Sequence, residues 1–266
     1  MRTAIKTAIK FLNEQRIHSS NIIPPPRTLI KNKEFSHKGI FFFTMDDIWE
    51  KTNIYNLKKI KNLLDKYQIK GTFFITPYYD YHELSKKKAG EIENLLKTQE
   101  IAMHGIRHKR DLIESNTKER IYELKHGKKL LEKRFNKKIQ GYRSPNFLRN
   151  RNLLKDLAST GFTYNSDQFL LRPYPFIKNK LVVIPCHDKC DPFSMNLNKK
   201  EIIKMINRKL NYYASNDKPY VFLMHPEDIN KKNLSVLSKI FQKVKSKGFV
   251  TNSSLSDFSK KLWRKH

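Results

Sequence analysis

Only two cysteines, Cys186 and Cys190, stand in the 266 residues, too few for a scaffold built on disulfides. Their Cys-x-x-x-Cys spacing would allow a bridge or a metal ligand pair, but two free thiols are the simpler reading. No run of 18 apolar residues occurs, which excludes a transmembrane helix. No secretory leader is expected, because Lys6, Lys10 and Glu14 interrupt the apolar residues near the N-terminus. The expected compartment is therefore the cytoplasm. No zinc-finger, RNP-like or helix-turn-helix pattern is found. Acidic residues are scarce, 25 against 54 lysines and arginines, for a formal charge of +29. A field of that size attracts polyanions. The lysines are spread along the whole chain, so the charge is read as surface composition and no specific nucleic-acid partner is expected.

Hydrophobic residues make up 38% of the chain and aromatics 12%, enough for a sizeable core. Ile5, Ala8, Ile9 and Leu12 fall at helical spacing within residues 1–17, with lysines between them. This short amphipathic helix suits packing on its own domain, and contact with an anionic membrane surface is the alternative. Pro24, Pro25 and Pro26 then force an extended linker. The reading divides the chain into an N-terminal helix and linker, 1–37, and a main domain, 38–266.

From residue 40 short apolar, β-branched or aromatic runs recur at 40–45, 71–76, 100–104, 140–144, 162–166, 181–186, 220–225 and 249–252. Helical patterns lie between them, such as Leu57, Ile60, Leu63 and Leu64, or Ile202, Ile203 and Ile206. The stretch 167–181 is irregular and rich in Pro and aromatics. Seven or eight strands alternating with helices predict a parallel α/β fold. The spacing favours a (β/α) barrel over a doubly wound sheet.

In a barrel the chemistry sits at the C-terminal strand ends. The first run ends in Asp46-Asp47, the third in His104-Gly105-Ile106-Arg107-His108, the fourth in Arg143-Ser144-Pro145 and the fifth in Asn165-Ser166-Asp167. The sixth ends in Cys186-His187-Asp188 and the seventh in His225-Pro226-Glu227-Asp228. Taken alone, Asp46-Asp47 would read as a helix cap with an acidic first turn. His104 and His108 are spaced as a metal pair, and with Asp47 they make a two-His, one-carboxylate set that leaves positions open. A rim arginine such as Arg143 needs a carboxylate, and Asp46 is the nearest. A lone His225 would more often be a packed residue, but its place on the same rim makes it a candidate acid. Cys186, His187, Asp188 and Cys190 read as a second metal site or as pocket walls. Tyr78, Tyr79 and Tyr81 read as sugar-stacking rings or as loop packing.

In this order, TMDD at 44–47, HGIRH at 104–108, RSP at 143–145, a segment at 164–167 and LMH at 223–225 resemble the motifs of the polysaccharide deacetylase family, carbohydrate esterase family 4. GTFFIT at 71–76 and EIAMHGIRH at 100–108 add to the likeness, which spans about residues 38–258. The resemblance implies a deformed (β/α)7-8 barrel and a metal-dependent hydrolase that removes acetyl groups from N-acetylated glycans or amino sugars. It implies Asp46 as base, Asp47, His104 and His108 as metal ligands, Arg143 as the group orienting Asp46, and His225 as acid. The implied cofactor is a divalent ion, zinc first, with Co2+, Ni2+, Fe2+ or Mn2+ as alternatives. Two positions depart from the pattern. Ile48 stands where the family usually has Gly, and Asn165 where it has an Asp that tunes the acid histidine, leaving Asp167 to substitute from two residues on. The competing readings are an amidohydrolase of a small non-sugar amide and a non-catalytic barrel that binds glycans or polyanions.

Overall fold

The computed structural model describes residues 39–264 except 109–111, 113–114, 150–151, 169–173, 189–191 and 196. The amphipathic segment 1–17 and the proline linker lie outside the described residues, as does Cys190. The chain alternates β1 (Ile40–Ile48), α1 (Ile54–Lys66), β2 (Gly71–Ile75), a hairpin of β3 (Tyr78–Tyr79) and β4 (His82–Glu83), α2 (Lys86–Leu95) and β5 (Glu100–His104). It continues through α3 (Thr117–Phe135), β6 (Gly141–Arg143), α4 (Leu153–Ser159), β7 (Tyr164–Asn165), β8 (Phe176–Lys178) and β9 (Leu181–Val183). It closes with α5 (Lys199–Ser215), β10 (Pro219–Met224), α6 (Lys231–Ser246) and α7 (Leu255–Trp263). Among the described residues eight strands form one sheet in the order β10-β1-β2-β5-β6-β7-β9-β8, parallel except for the β8–β9 pair. This is the deformed barrel the sequence predicts.

Two expectations change in detail. The run at 249–252 supplies one isolated bridge, Ile40 to Val250, in place of a strand. Within the irregular stretch 167–181, residues 176–178 form β8, which turns back on β9.

Side chains alternate across each strand, and here both faces are apolar because helices cover the outside. Phe41, Phe43 and Met45 of β1 point outward into the larger core with Leu57, Ile60, Val236, Ile240 and Phe241. Phe42 points inward with Phe74, Ala102, Val221 and Leu223. The same alternation carries polar groups to the inner rim. Thr44 and Asp46 continue the inward row of β1, His104 follows Ala102, Arg143 follows Gly141, and His225 follows Leu223. The helices start where side chains cap their free N–H groups. Asn116 with Glu119, Asn198 with Glu201 and Ser254 with Asp257 form reciprocal capping boxes.

Candidate metal centre and active site

Asp46 and Asp47 serve different directions because β1 is irregular at its end. Its register with β2 shifts between Met45 and Ile48, and Asp47 has φ 56°. A bulge of this kind re-aims the side chains at a barrel rim. Asp46 points into the barrel, 2% exposed, and Asp47 turns towards the mouth.

His104 ends β5, and the chain then turns at Gly105, φ 61°, where an added Cβ would lie 2.6 Å from Pro145 Cγ. Only glycine suits that turn. The turn brings His108, itself at φ 54°, back beside His104, with ring centroids 5.3 Å apart. The His104 Nδ1–H donates to the Arg143 carbonyl at 3.1 Å. That bond leaves Nε2 as the ring's free donor atom, a device that orients metal-binding imidazoles. Asp47 Oδ1 lies 3.2 Å from His104 Nε2 and 2.8 Å from His108 Nε2. Ligand atoms of these three residues lie within 4.8 Å of one another, and no other His/Cys/Asp/Glu group among the described residues converges so. The Tyr79 ring packs against His108 at 4.9 Å, and Trp49 against Tyr79 at 4.5 Å.

Burial works against the charge on Asp47, but the adjoining His104 and His108 imidazoles hold its carboxyl well below the usual carboxylate range. Burial pulls the His104 imidazole down, and the stronger combined attraction of Asp46 and Asp47 lifts it above its ordinary value.

Arg143 is wholly buried. Its Nη1 donates to Asp46 Oδ1 at 2.7 Å and Thr44 Oγ1 at 2.9 Å, Nε to the Ser166 carbonyl at 2.8 Å, and Nη2 to Ser166 Oγ at 2.8 Å. The guanidinium lies 4.2 Å over the Phe74 ring. Thr44 Oγ1 in turn donates to the Phe222 carbonyl at 2.7 Å. Asp46 is thus held by a group that four elements fix.

His225 follows β10, its Nε2 3.8 Å from Asp47 Oδ2. Asp167 is wholly buried. Its Oδ1 accepts from Ser144 N at 2.6 Å, and Oδ2 from Ser144 Oγ at 2.9 Å and Asn165 Nδ2 at 3.0 Å. The described bonds of Asp167 therefore brace the Arg143-Ser144-Pro145 turn. Asn165 sits beside it and donates to it. Asp188 is engaged with Lys209, Tyr220 and Leu223. Sequence reasoning missed Thr44, Ser144 and Ser166 as partners of the site, and Trp49 and Tyr79 as supports of His108. For Thr44 the available signal was its alternation with Asp46 on β1; Trp49, Ser144 and Ser166 lie just past strand ends.

The family model described as Polysaccharide deacetylase matches residues 33–165, half of the chain. The matched span holds Asp46, Asp47, His104, His108 and Arg143, and His225 lies beyond it. No curated protein matches significantly. Solved structures with a similar fold include a provisionally named polysaccharide deacetylase from Mycobacterium smegmatis, 18% identical, with TM-score 0.71 over 91% of this chain and 94% of that one. A family 4 carbohydrate esterase from Streptomyces lividans, solved in complex with acetate, is 16% identical with TM-score 0.54 over 80% and 91%. A CE4 family pseudoenzyme from Bacillus anthracis is 16% identical with TM-score 0.60 over 84% and 66%. At these identities the likeness is one of fold.

Proposed function

The chain belongs to the polysaccharide deacetylase family, and from that premise we propose that it hydrolyses the acetamide of an N-acetylated sugar or glycan with a divalent ion held by Asp47, His104 and His108. At the level of the family the chain is a deacetylase-type hydrolase acting on a C–N bond outside peptides. The observation that carries the finer reading is the converging triad at the barrel rim beside an Asp–Arg pair and a histidine.

The residues fit a metal. Asp47 Oδ1 is buried yet accepts no hydrogen bond of good geometry, although two imidazole nitrogens stand within 3.2 Å. Donor atoms that crowd one oxygen without hydrogen-bonding it suit a shared cation. Two imidazoles and one carboxylate are a donor set zinc accepts readily, and other divalent ions also fit. When bound, such an ion polarises a carbonyl and acidifies water.

The chain's own groups do the rest. Asp46, held by Arg143 and facing the mouth from inside, takes the proton of the attacking water. Water oxygen adds to the acetyl carbon, and the C–N bond then breaks. His225 gives its proton to the departing nitrogen, leaving acetate and a free amino sugar. Asp167 and Asn165 support this arrangement through Ser144, next to Arg143, and we read tuning of His225 by Asp167 as indirect.

The test joins elemental analysis of the purified protein to acetate release from N-acetylglucosamine oligomers and from a panel of small amides. We expect one equivalent of metal and release from the sugars. Asp46→Asn should keep the metal and lose turnover; wild-type turnover in that variant would remove Asp46 from its role. Metal without release from any substrate would leave a binding barrel.

A further inference from the structure

β10 stands at one end of the sheet, paired with β1 on a single side. The segment after β9 comes alongside its other edge. Ile184 N donates to the Asn165 carbonyl at 2.9 Å and Cys186 N to the Asp167 carbonyl at 3.0 Å, while His187 N donates across the gap to the Val221 carbonyl at 3.3 Å. Beyond that backbone bond, among the described residues, side chains replace a strand. His187 Nδ1 accepts from Val221 N at 2.9 Å, and Asp188 Oδ2 accepts from Leu223 N at 3.1 Å. Alternate N–H groups on an edge strand face the same way, so these two are the ones a missing neighbour would leave open.

Asp188 is 1% exposed. A carboxylate there needs partners. It pairs with Lys209 of α5 and accepts from the Tyr220 hydroxyl at 3.1 Å. Tyr213 of α5 stacks on Tyr220, centroids 5.1 Å apart and 10° from parallel. Helix, seam and strand are thereby locked through one carboxylate. Leu223 lies two residues before His225, and Val221, Leu223 and His225 share the inward row. Whatever fixes Leu223 N therefore fixes where His225 enters the mouth.

We propose that Asp188 is a positioning residue: its carboxylate, anchored by Lys209, closes the barrel between the end of β9 and β10 and so sets His225 over Asp47. The inference rests on the deacetylase reading only for its effect on rate. Of the proposed metal ligands, His104 and His108 stand at and after the end of β5, three strands from β10, and Asp47 stands on β1, against the edge of β10 that faces away from the seam, so metal content is expected to change little.

The experiment is hydrogen exchange by mass spectrometry together with kinetics on the intact chain. In Asp188→Ala, peptides over 219–225 should exchange at least tenfold faster while those over 100–104 do not change. On a substrate the wild type deacetylates, kcat should fall at least tenfold, with KM and metal content within twofold. Asp188→Asn retains an oxygen for Leu223 N and should recover most of both losses. Unchanged exchange at 219–225, or equal loosening of 100–104, would overturn the proposal. If Asp188→Ala does not fold, Lys209→Met carries the same expectation at about threefold, and no change in it would be equally fatal. A wild type that releases no acetate would defeat the functional reading alone, and the exchange result would still decide this one.

Discussion

Arg143→Met tests whether the buried Asp46–Arg143 pair is held as tightly as its contacts indicate. The substitution keeps much of the aliphatic volume over Phe74 but removes the charge and four donated bonds, to Asp46, Thr44 and twice to Ser166. Arg143 is fully buried and Asp46 2% exposed, so screening by water is slight. Removing one member of such a pair strands the other, at a typical cost of about 3–5 kcal/mol. The two Ser166 acceptors and Thr44 lose partners as well, which places the expected loss near the upper end of that range. For a chain of this size that corresponds to a fall in Tm on the order of 10 °C. Urea denaturation followed by circular dichroism reads the change in midpoint at constant slope. The decisive comparison is the double variant Arg143→Met with Asp46→Leu. Without a stranded carboxylate it should be more stable than Arg143→Met alone, a coupling of a few kcal/mol measured by the double-mutant cycle. If the two losses simply add, or if Arg143→Met costs less than about 1 kcal/mol, the pair is solvent-relaxed and the claim that Asp46 is rigidly held is wrong.

Other expectations follow from the same geometry. Asp47→Ala and His104→Ala should each abolish metal retention and acetate release, read by elemental analysis and an acetate assay. Stripping the metal with a chelator should lower Tm, and restoring it at 100 times its Kd should return about 2.7 kcal/mol. Metal uptake should weaken as pH falls: His104 has an imidazole lifted above its ordinary value by Asp46 and Asp47 against burial, a bound ion must displace that proton, and titration by calorimetry at several pH values gives the slope. Gly141→Ala should be severely destabilising, because its Cβ would fall 1.9 Å from the Tyr164 ring, which is wholly buried. Gly127→Ala should be mild, since its Cβ meets the flexible end of Met103 and a helical glycine replaced by alanine gains about 0.8–1 kcal/mol.

The strands were legible because hydrophobic runs of the right length recur between helical patterns. The rim was legible because six of the eight runs end in ionisable residues. Asp46, Asp47, His104, His108, Arg143 and His225 come together at one mouth for that reason. What escaped the sequence depends on contacts between distant segments. The hairpin Tyr78–Tyr79 with His82–Glu83 is too short to show a period. Asp167 turning to Ser144 is a matter of which neighbour lies nearer once β6 and β7 pair. The use of His187 and Asp188 as substitutes for strand backbone follows from where the barrel fails to close on its own. Helix α7 was the avoidable omission: Ser254 and Asp257 make a capping box, and Leu255, Phe258 and Leu262 fall on one face.

Asp47 and His108 both hold left-handed backbone, φ 56° and 54°, a region that costs a non-glycine residue on the order of 1 kcal/mol. The fold therefore keeps two of the three proposed metal ligands in place against their own torsional preference. Glycine at either position would make the fold easier to form while removing a proposed ligand of the cation. The rim is consequently a spot where thermal robustness and chemistry pull apart, and stabilised variants selected without metal present should collect substitutions there first.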